Sequence, residues 1–178
     1  MNRALNILTW NVTGVMSSAS YLCDVITQDE IDMCGISEHW LSPNNLYFLD
    51  TISNDYNYHA VCDNDLYSCK TRKVGKGGVA ILWNNRYDNY VVPLNIDSDR
   101  IVGIQLQLSP GDFVFIFQVY LPCSNYNIEK YNDCIALLYD LHSSFCDHGL
   151  TVFIGDFNAR VFTPNYCTRD KKTVEVYV

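Results

Sequence analysis

A chain of 178 residues suits one domain with a sizeable core, because a domain of this length hides roughly 70% of the surface its unfolded form exposes. An apolar content of 48% with 13 Tyr and 8 Phe argues against a disordered chain. A formal charge of −8 argues against nonspecific coating of nucleic acid, which rests on Lys and Arg neutralising phosphates, so any contact with DNA must be local.

Leu5 to Trp10 alternates and is rich in branched and aromatic residues, which predicts a strand that ends in the polar Asn11-Val12-Thr13-Gly14. A helix follows, capped by Ser17, Ser18 or Ser20, with Tyr21, Leu22, Val25 and Ile26 on one face and an end near Asp29. Met33 to Ser37 reads as the next strand, Pro43 to Ile52 as a short helix and Tyr56 to Val61 as a strand. This strand-helix-strand opening predicts an α/β protein. Lys70, Arg72, Lys73 and Lys76, set among Gly75, Gly77 and Gly78, form a basic loop that is either a solvated hairpin tip or a phosphate contact. The apolar run Gly78 to Trp83 predicts a buried strand. Three antiparallel strands follow at about Tyr90 to Leu94, Ile101 to Leu108 and Phe113 to Tyr120, joined by tight turns. Ile128, Tyr131, Ile135, Leu138, Leu141 and Phe145 share a helical face that stops at Gly149, and Thr151 to Ile154 is the last clear strand.

The eight cysteines (Cys23, Cys34, Cys62, Cys69, Cys123, Cys134, Cys146, Cys167) contain no C-x-x-C pair, and the first ten residues carry no secretory leader. They read as free thiols in a reducing compartment, so the sequon at Asn11 is not expected to be glycosylated. No stretch approaches the roughly 20 apolar residues of a membrane span, and no membrane partner is expected.

Four strand ends carry polar groups: Asn11, Glu38, Tyr120, and Asp156 with Asn158. A single strand-end Asn or Asp usually just makes a turn. Together they mark the carboxyl ends of strands, where α/β proteins bind ligands.

Their order and context resemble the endonuclease/exonuclease/phosphatase superfamily. Leu8-Thr9-Trp10-Asn11 is similar to its first motif, Ser37-Glu38 to its metal-ligand motif, Val119-Tyr120-Leu121-Pro122 to its tyrosine motif and Gly155-Asp156-Phe157-Asn158 to its diagnostic tetrapeptide. Ser37-Glu38-His39-Trp40-Leu41 and Lys76 to Leu82 look most like the apurinic-type endonuclease domains of non-LTR retrotransposons. The resemblance implies a four-layered α/β/β/α sandwich of the deoxyribonuclease kind, formed as a single domain. It also implies Mg²⁺-dependent phosphodiester hydrolysis (Mn²⁺ substituting), a DNA substrate and action in the nucleus. Glu38, helped by the side-chain oxygen of Asn11, would hold the metal. Asp156 would orient or deprotonate the attacking water, and Asn158 and Tyr120 would donate hydrogen bonds to the phosphoryl group.

The match then breaks. The family's final Ser-Asp-His does not occur, and residues 161–178 diverge, too short for the strands and helix still expected. A fold incomplete at its C-terminus, with one sheet edge uncovered, is the expectation. Cys146-Asp147-His148 is a decoy, since eight residues of strand at about 3.3 Å each place His148 far from Asp156. His39 is expected on the surface or a cleft wall, and Thr13 stands where repair enzymes of this resemblance carry a second acid. Two alternatives to a DNA-nicking enzyme stand beside it: another phosphoesterase of the superfamily, and a remnant that binds without turnover.

Overall fold

The computed structural model describes residues 4–63, 76–123 and 127–159, together with the backbone of 172–176. Along the chain run β1 (Leu5–Asn11), α1 (Val15–Gln28), β2 (Met33–Ser37), a 3₁₀ segment (Pro43–Thr51), β3 (Tyr56–Val61), β4 (Val79–Asn84) and a second 3₁₀ turn (Asn85–Tyr87). After these come β5 (Val91–Leu94), β6 (Ile101–Ser109), β7 (Asp112–Tyr120), α2 (Ile128–Phe145), β8 (Leu150–Asp156) and β9 (Lys172–Val176). They build two sheets, one ordered β3-β4-β2-β1-β9 and the other β5-β6-β7-β8.

The apolar runs are continuous rather than alternating because both faces of each sheet are covered. Leu5 and Ile7 of β1, Val79 and Ile81 of β4, and Val114 and Ile116 of β7 meet in a core between the sheets. The intervening Leu8, Ala80 and Leu82 turn the other way, onto α1 residues Leu22, Val25 and Ile26 and onto Leu49 of the 3₁₀ segment. Phe115, Phe117 and Val119 of β7 turn onto Cys134 and Leu141 of α2. The result is the expected α/β/β/α sandwich. Among the described residues no helix is long and apolar enough to cross a membrane.

Three expectations need correction. The N-cap of α1 is Gly14, not a serine: Ser17 and Ser18 lie inside the helix and donate their hydroxyls to the Gly14 carbonyl at 2.9 and 3.0 Å. Tyr21 is 53% exposed and meets Trp10 edge-on instead of joining the core, and Ile128 at the start of α2 is 56% exposed. The divergent tail, beyond the last strand expected, contributes β9, which pairs antiparallel with β1 from Leu5↔Val176 to Thr9↔Lys172. It covers the outer edge of β1, while β8 ends the second sheet among the described residues.

At Gly35 the two sheets are in close contact. A Cβ there would lie 2.0 Å from Oε1 of Gln118, a fully buried side chain that also accepts a hydrogen bond from the Thr9 hydroxyl at 3.3 Å. Gly35→Ala is expected to destabilise the protein by about 1–3 kcal/mol through overpacking. Adding Gln118→Ala should recover part of that loss in a urea-unfolding double-mutant cycle, and strictly additive effects would refute the contact.

Candidate active site

β1 and β2 run parallel with Asn11 opposite Ser37, and β7 and β8 run parallel with Tyr120 opposite Asp156. Four carboxyl ends therefore open on one side of the sandwich, and the predicted groups gather there. The Asn11 amide bridges the two sheets, with Nδ2 donating to Glu38 Oε1 at 2.9 Å and to Asp156 Oδ2 at 3.2 Å. Its Oδ1 accepts from the backbone N–H and the hydroxyl of Thr13, both at 3.2 Å. The expected metal-binding oxygen of Asn11 is thus turned toward Thr13, and its amide protons face the carboxylates.

Asp156 is held from both sides: the other oxygen, Oδ1, accepts from the backbone N–H of Asn158 at 3.0 Å. Asn158 directs Nδ2 to the Leu121 carbonyl at 2.6 Å, leaving its second amide proton for a ligand. The Tyr120 phenol lies beside Glu38; burial first, then the Glu38 charge, pushes its pKa up to about 12. It stays a proton donor at neutral pH. The Arg100 guanidinium lies 4.9 Å over the Tyr120 ring and is ion-paired with Asp63 at 3.3 Å.

Backbone strain concentrates at the same place. Of the described non-glycine residues with positive φ (Thr13, Glu30, Glu38, Trp40 and Asn158), all but Glu30 border this site. Such conformations cost of order 1–3 kcal/mol each and persist only where the surroundings over-determine them. Here the determinants are the bonds from Gly14 N–H to the Glu38 carbonyl (2.8 Å), Val15 N–H to the His39 carbonyl (3.2 Å) and Trp40 N–H to the Gly77 carbonyl (3.0 Å).

His39 does not sit at a surface or cleft wall. It is 1% exposed, with Nδ1 accepting from the Leu41 N–H and Nε2 donating to the Val61 carbonyl, both at 3.0 Å. Burial lowers its pKa to about 4. With both ring nitrogens committed, it has no free base to offer. His148 lies in the turn before β8, at the opposite end from Asp156, as expected of a decoy.

Lys76 is exposed, but Lys70, Arg72 and Lys73 lie outside the described residues, so the basic cluster is not placed; Cys69 and Cys167 also fall there. Trp40 and Arg100, which were not among the expected site residues, also border the site. Trp40 donates from Nε1 to Glu38 Oε2 at 3.2 Å, and its sequence signal was its place in Ser37-Glu38-His39-Trp40-Leu41.

Two carboxylates from different sheets converge on one neutral amide, and neither is ion-paired with a basic side chain among the described residues. That donor set is oxygen-only and anionic, which fits a hard divalent cation bound through one or two carboxylates. No group of three or more His, Cys, Asp or Glu occurs among the described residues, so a closed site of the zinc type is not formed by them.

Residues 8–173 match the Endonuclease/Exonuclease/phosphatase family. Craniofacial development protein 2 of Bos taurus is 26% identical over 161 residues, which are 86% of this chain and 24% of that protein; the same protein of Tragulus javanicus is 26% identical. The chain thus spans about a quarter of the length of these curated relatives. Among solved structures, the AP endonuclease LMAP of Leishmania major superposes with a TM-score of 0.68 at 15% identity, over 86% of this chain and 55% of that one. D. rerio TDP2, solved with a single-strand DNA product, gives 0.64 at 17% identity over 89% and 62%. At these identities the structures establish the fold.

Proposed function

The chain belongs to the endonuclease/exonuclease/phosphatase family, and from that membership we propose that it carries the metal-binding and water-activating part of a Mg²⁺-dependent endonuclease that nicks DNA, of the non-LTR retrotransposon kind and acting in the nucleus. The observation that carries this reading is the meeting of Asn11, Glu38, Tyr120 and Asp156 from two sheets at one cleft. Glu38 would hold the cation, and Asn11 would join it by turning its oxygen away from Thr13. When bound, a Mg²⁺ or Mn²⁺ ion supplies charge stabilisation for the phosphate and the leaving oxygen. Asp156, fixed by Asn11 and the Asn158 backbone, faces the cleft as an acceptor that orients a water and takes its proton. Tyr120 and the free amide proton of Asn158 donate to the phosphoryl oxygens as charge builds on them. DNA as substrate is supported by the DNA-bound state of D. rerio TDP2 and of a Neisseria 3′ phosphatase with a similar fold, and by the basic cluster at residues 70–76.

A second reading, binding of metal and DNA without turnover, is favoured by the placement of His39 on backbone partners, which brings no histidine base to the cleft. The two readings separate in a supercoiled-plasmid assay with Mg²⁺. Nicking by residues 1–178 that disappears in Asp156→Ala supports the enzyme. Absence of nicking, restored when a C-terminal segment bearing Ser-Asp-His is supplied, supports a chain that binds but needs that segment for chemistry. Release of phosphate from small phosphoesters without DNA nicking would refute a DNA substrate.

A further inference from the structure

We propose that Trp40 is a positioning residue that fixes the Glu38 carboxylate for cation binding; this rests on the reading that Glu38 holds a divalent cation. Glu38 uses both oxygens on neutral donors, Oε1 on the Asn11 amide at 2.9 Å and Oε2 on the Trp40 indole N–H at 3.2 Å. None of these partners carries a positive charge, so they orient the carboxylate without neutralising it, and its full charge is left for a cation.

The indole is itself held in place. Its ring lies against Gly14, where an added Cβ would come within 2.8 Å of the six-membered ring. Its backbone N–H donates to the Gly77 carbonyl at 3.0 Å, and both Glu38 and Trp40 adopt left-handed φ values of 57° and 56° around the buried His39. A carboxylate on a strained turn has several side-chain orientations open to it, and a hydrogen bond from a packed indole selects one. Partners in this outer position that orient a ligating group usually change metal affinity 10- to 100-fold when removed.

The test is Mn²⁺ binding to residues 1–178, followed by the loss of the free-ion signal in electron paramagnetic resonance. Trp40→Phe keeps a ring against Gly14 and removes the N–H, and is expected to weaken Mn²⁺ binding by about tenfold or more. Trp40→His, which returns an N–H donor, should recover part of that affinity. Glu38→Gln serves as the reference. If Glu38→Gln weakens binding and Trp40→Phe does not, the positioning role is overturned while the metal reading stands. If neither changes binding, or the unmodified chain binds no Mn²⁺, the metal reading fails and the inference falls with it.

A measurement on the unmodified protein removes dependence on how Trp40→Phe folds. In the ¹⁵N–¹H spectrum the Trp40 indole resonance should shift saturably with diamagnetic Mg²⁺ and lose that response in Glu38→Gln. An indole resonance that does not move at Mg²⁺ concentrations saturating the site would overturn the proposal.

Discussion

Where the proposed DNA nicking is measured, Glu38→Gln is expected to lower it by a factor of about 10² to 10³, equivalent to about 3–4 kcal/mol of transition-state stabilisation. The substitution keeps the shape of the side chain but removes its charge and one of its two acceptor oxygens. The site then has only Asp156 to offset a divalent cation, and one of the two donors from Asn11 and Trp40 faces an N–H₂ group instead of an oxygen. Because Glu38 is half-buried at the rim of β2, the change in fold stability should stay near 1 kcal/mol, the worth of one hydrogen bond. The rate is read from conversion of supercoiled to open-circular plasmid, in residues 1–178 or in a longer chain that supplies Ser-Asp-His. Activity within about threefold of the unmodified protein, which corresponds to under about 1 kcal/mol, would remove Glu38 from the reaction.

The second large effect is on stability, and it comes from His39. Its Nδ1 must be unprotonated to accept the Leu41 N–H, and its Nε2 must keep its proton to donate to Val61, so the fold admits only one neutral tautomer. A proton added to Nδ1 would meet the Leu41 N–H head-on in a site shut off from water. Burial accordingly lowers the folded-state pKa to about 4, against roughly 6.5 in an unfolded chain. Between these values the unfolded state binds more protons. The stabilisation is therefore complete above pH ~6.5 and is lost as pH falls toward 4, by about 3 kcal/mol in all. Urea midpoints from pH 7.5 down to 4 should fall steeply for the unmodified chain and less steeply for His39→Asn, whose side-chain oxygen can still accept from Leu41. Parallel curves for the two proteins would show that His39 does not set the acid response.

Much of the sandwich was legible in the sequence because its strands are buried on both faces and so appear as unbroken apolar runs, Val79 to Trp83 and Phe113 to Phe117 above all. Asn11, Glu38, Tyr120 and Asp156 were legible for a related reason: each polar group stands at or just past the end of a strand pattern. What escaped depends on contacts between distant residues. Gly14 caps α1 in a left-handed conformation under the ring of Trp40, a relation no local pattern of serines reveals. His39 looked accessible because it follows a ligand motif, yet Gly78 passes so close to its ring that a Cβ there would stand 2.3 Å away. The direction of the Asn11 amide was likewise set by Thr13 on one side and two carboxylates on the other, all fixed only after folding.

The position of β9 bears on how the protein is made. β1 is the first described strand to leave the ribosome and β9 the last, yet they are neighbours in one sheet. Until residues 172–176 emerge, the outer edge of β1 shows its hydrogen-bonding groups to whatever is nearby, including the same edge on another nascent chain. Closing that pair spans nearly the whole sequence, the kind of contact that forms slowly. The strand that ends in Asn11 is therefore the one left longest without its final neighbour, and a chaperone that shields it early should raise the yield of folded protein more than one acting on the β5-β6-β7 hairpins, whose partners are close in sequence.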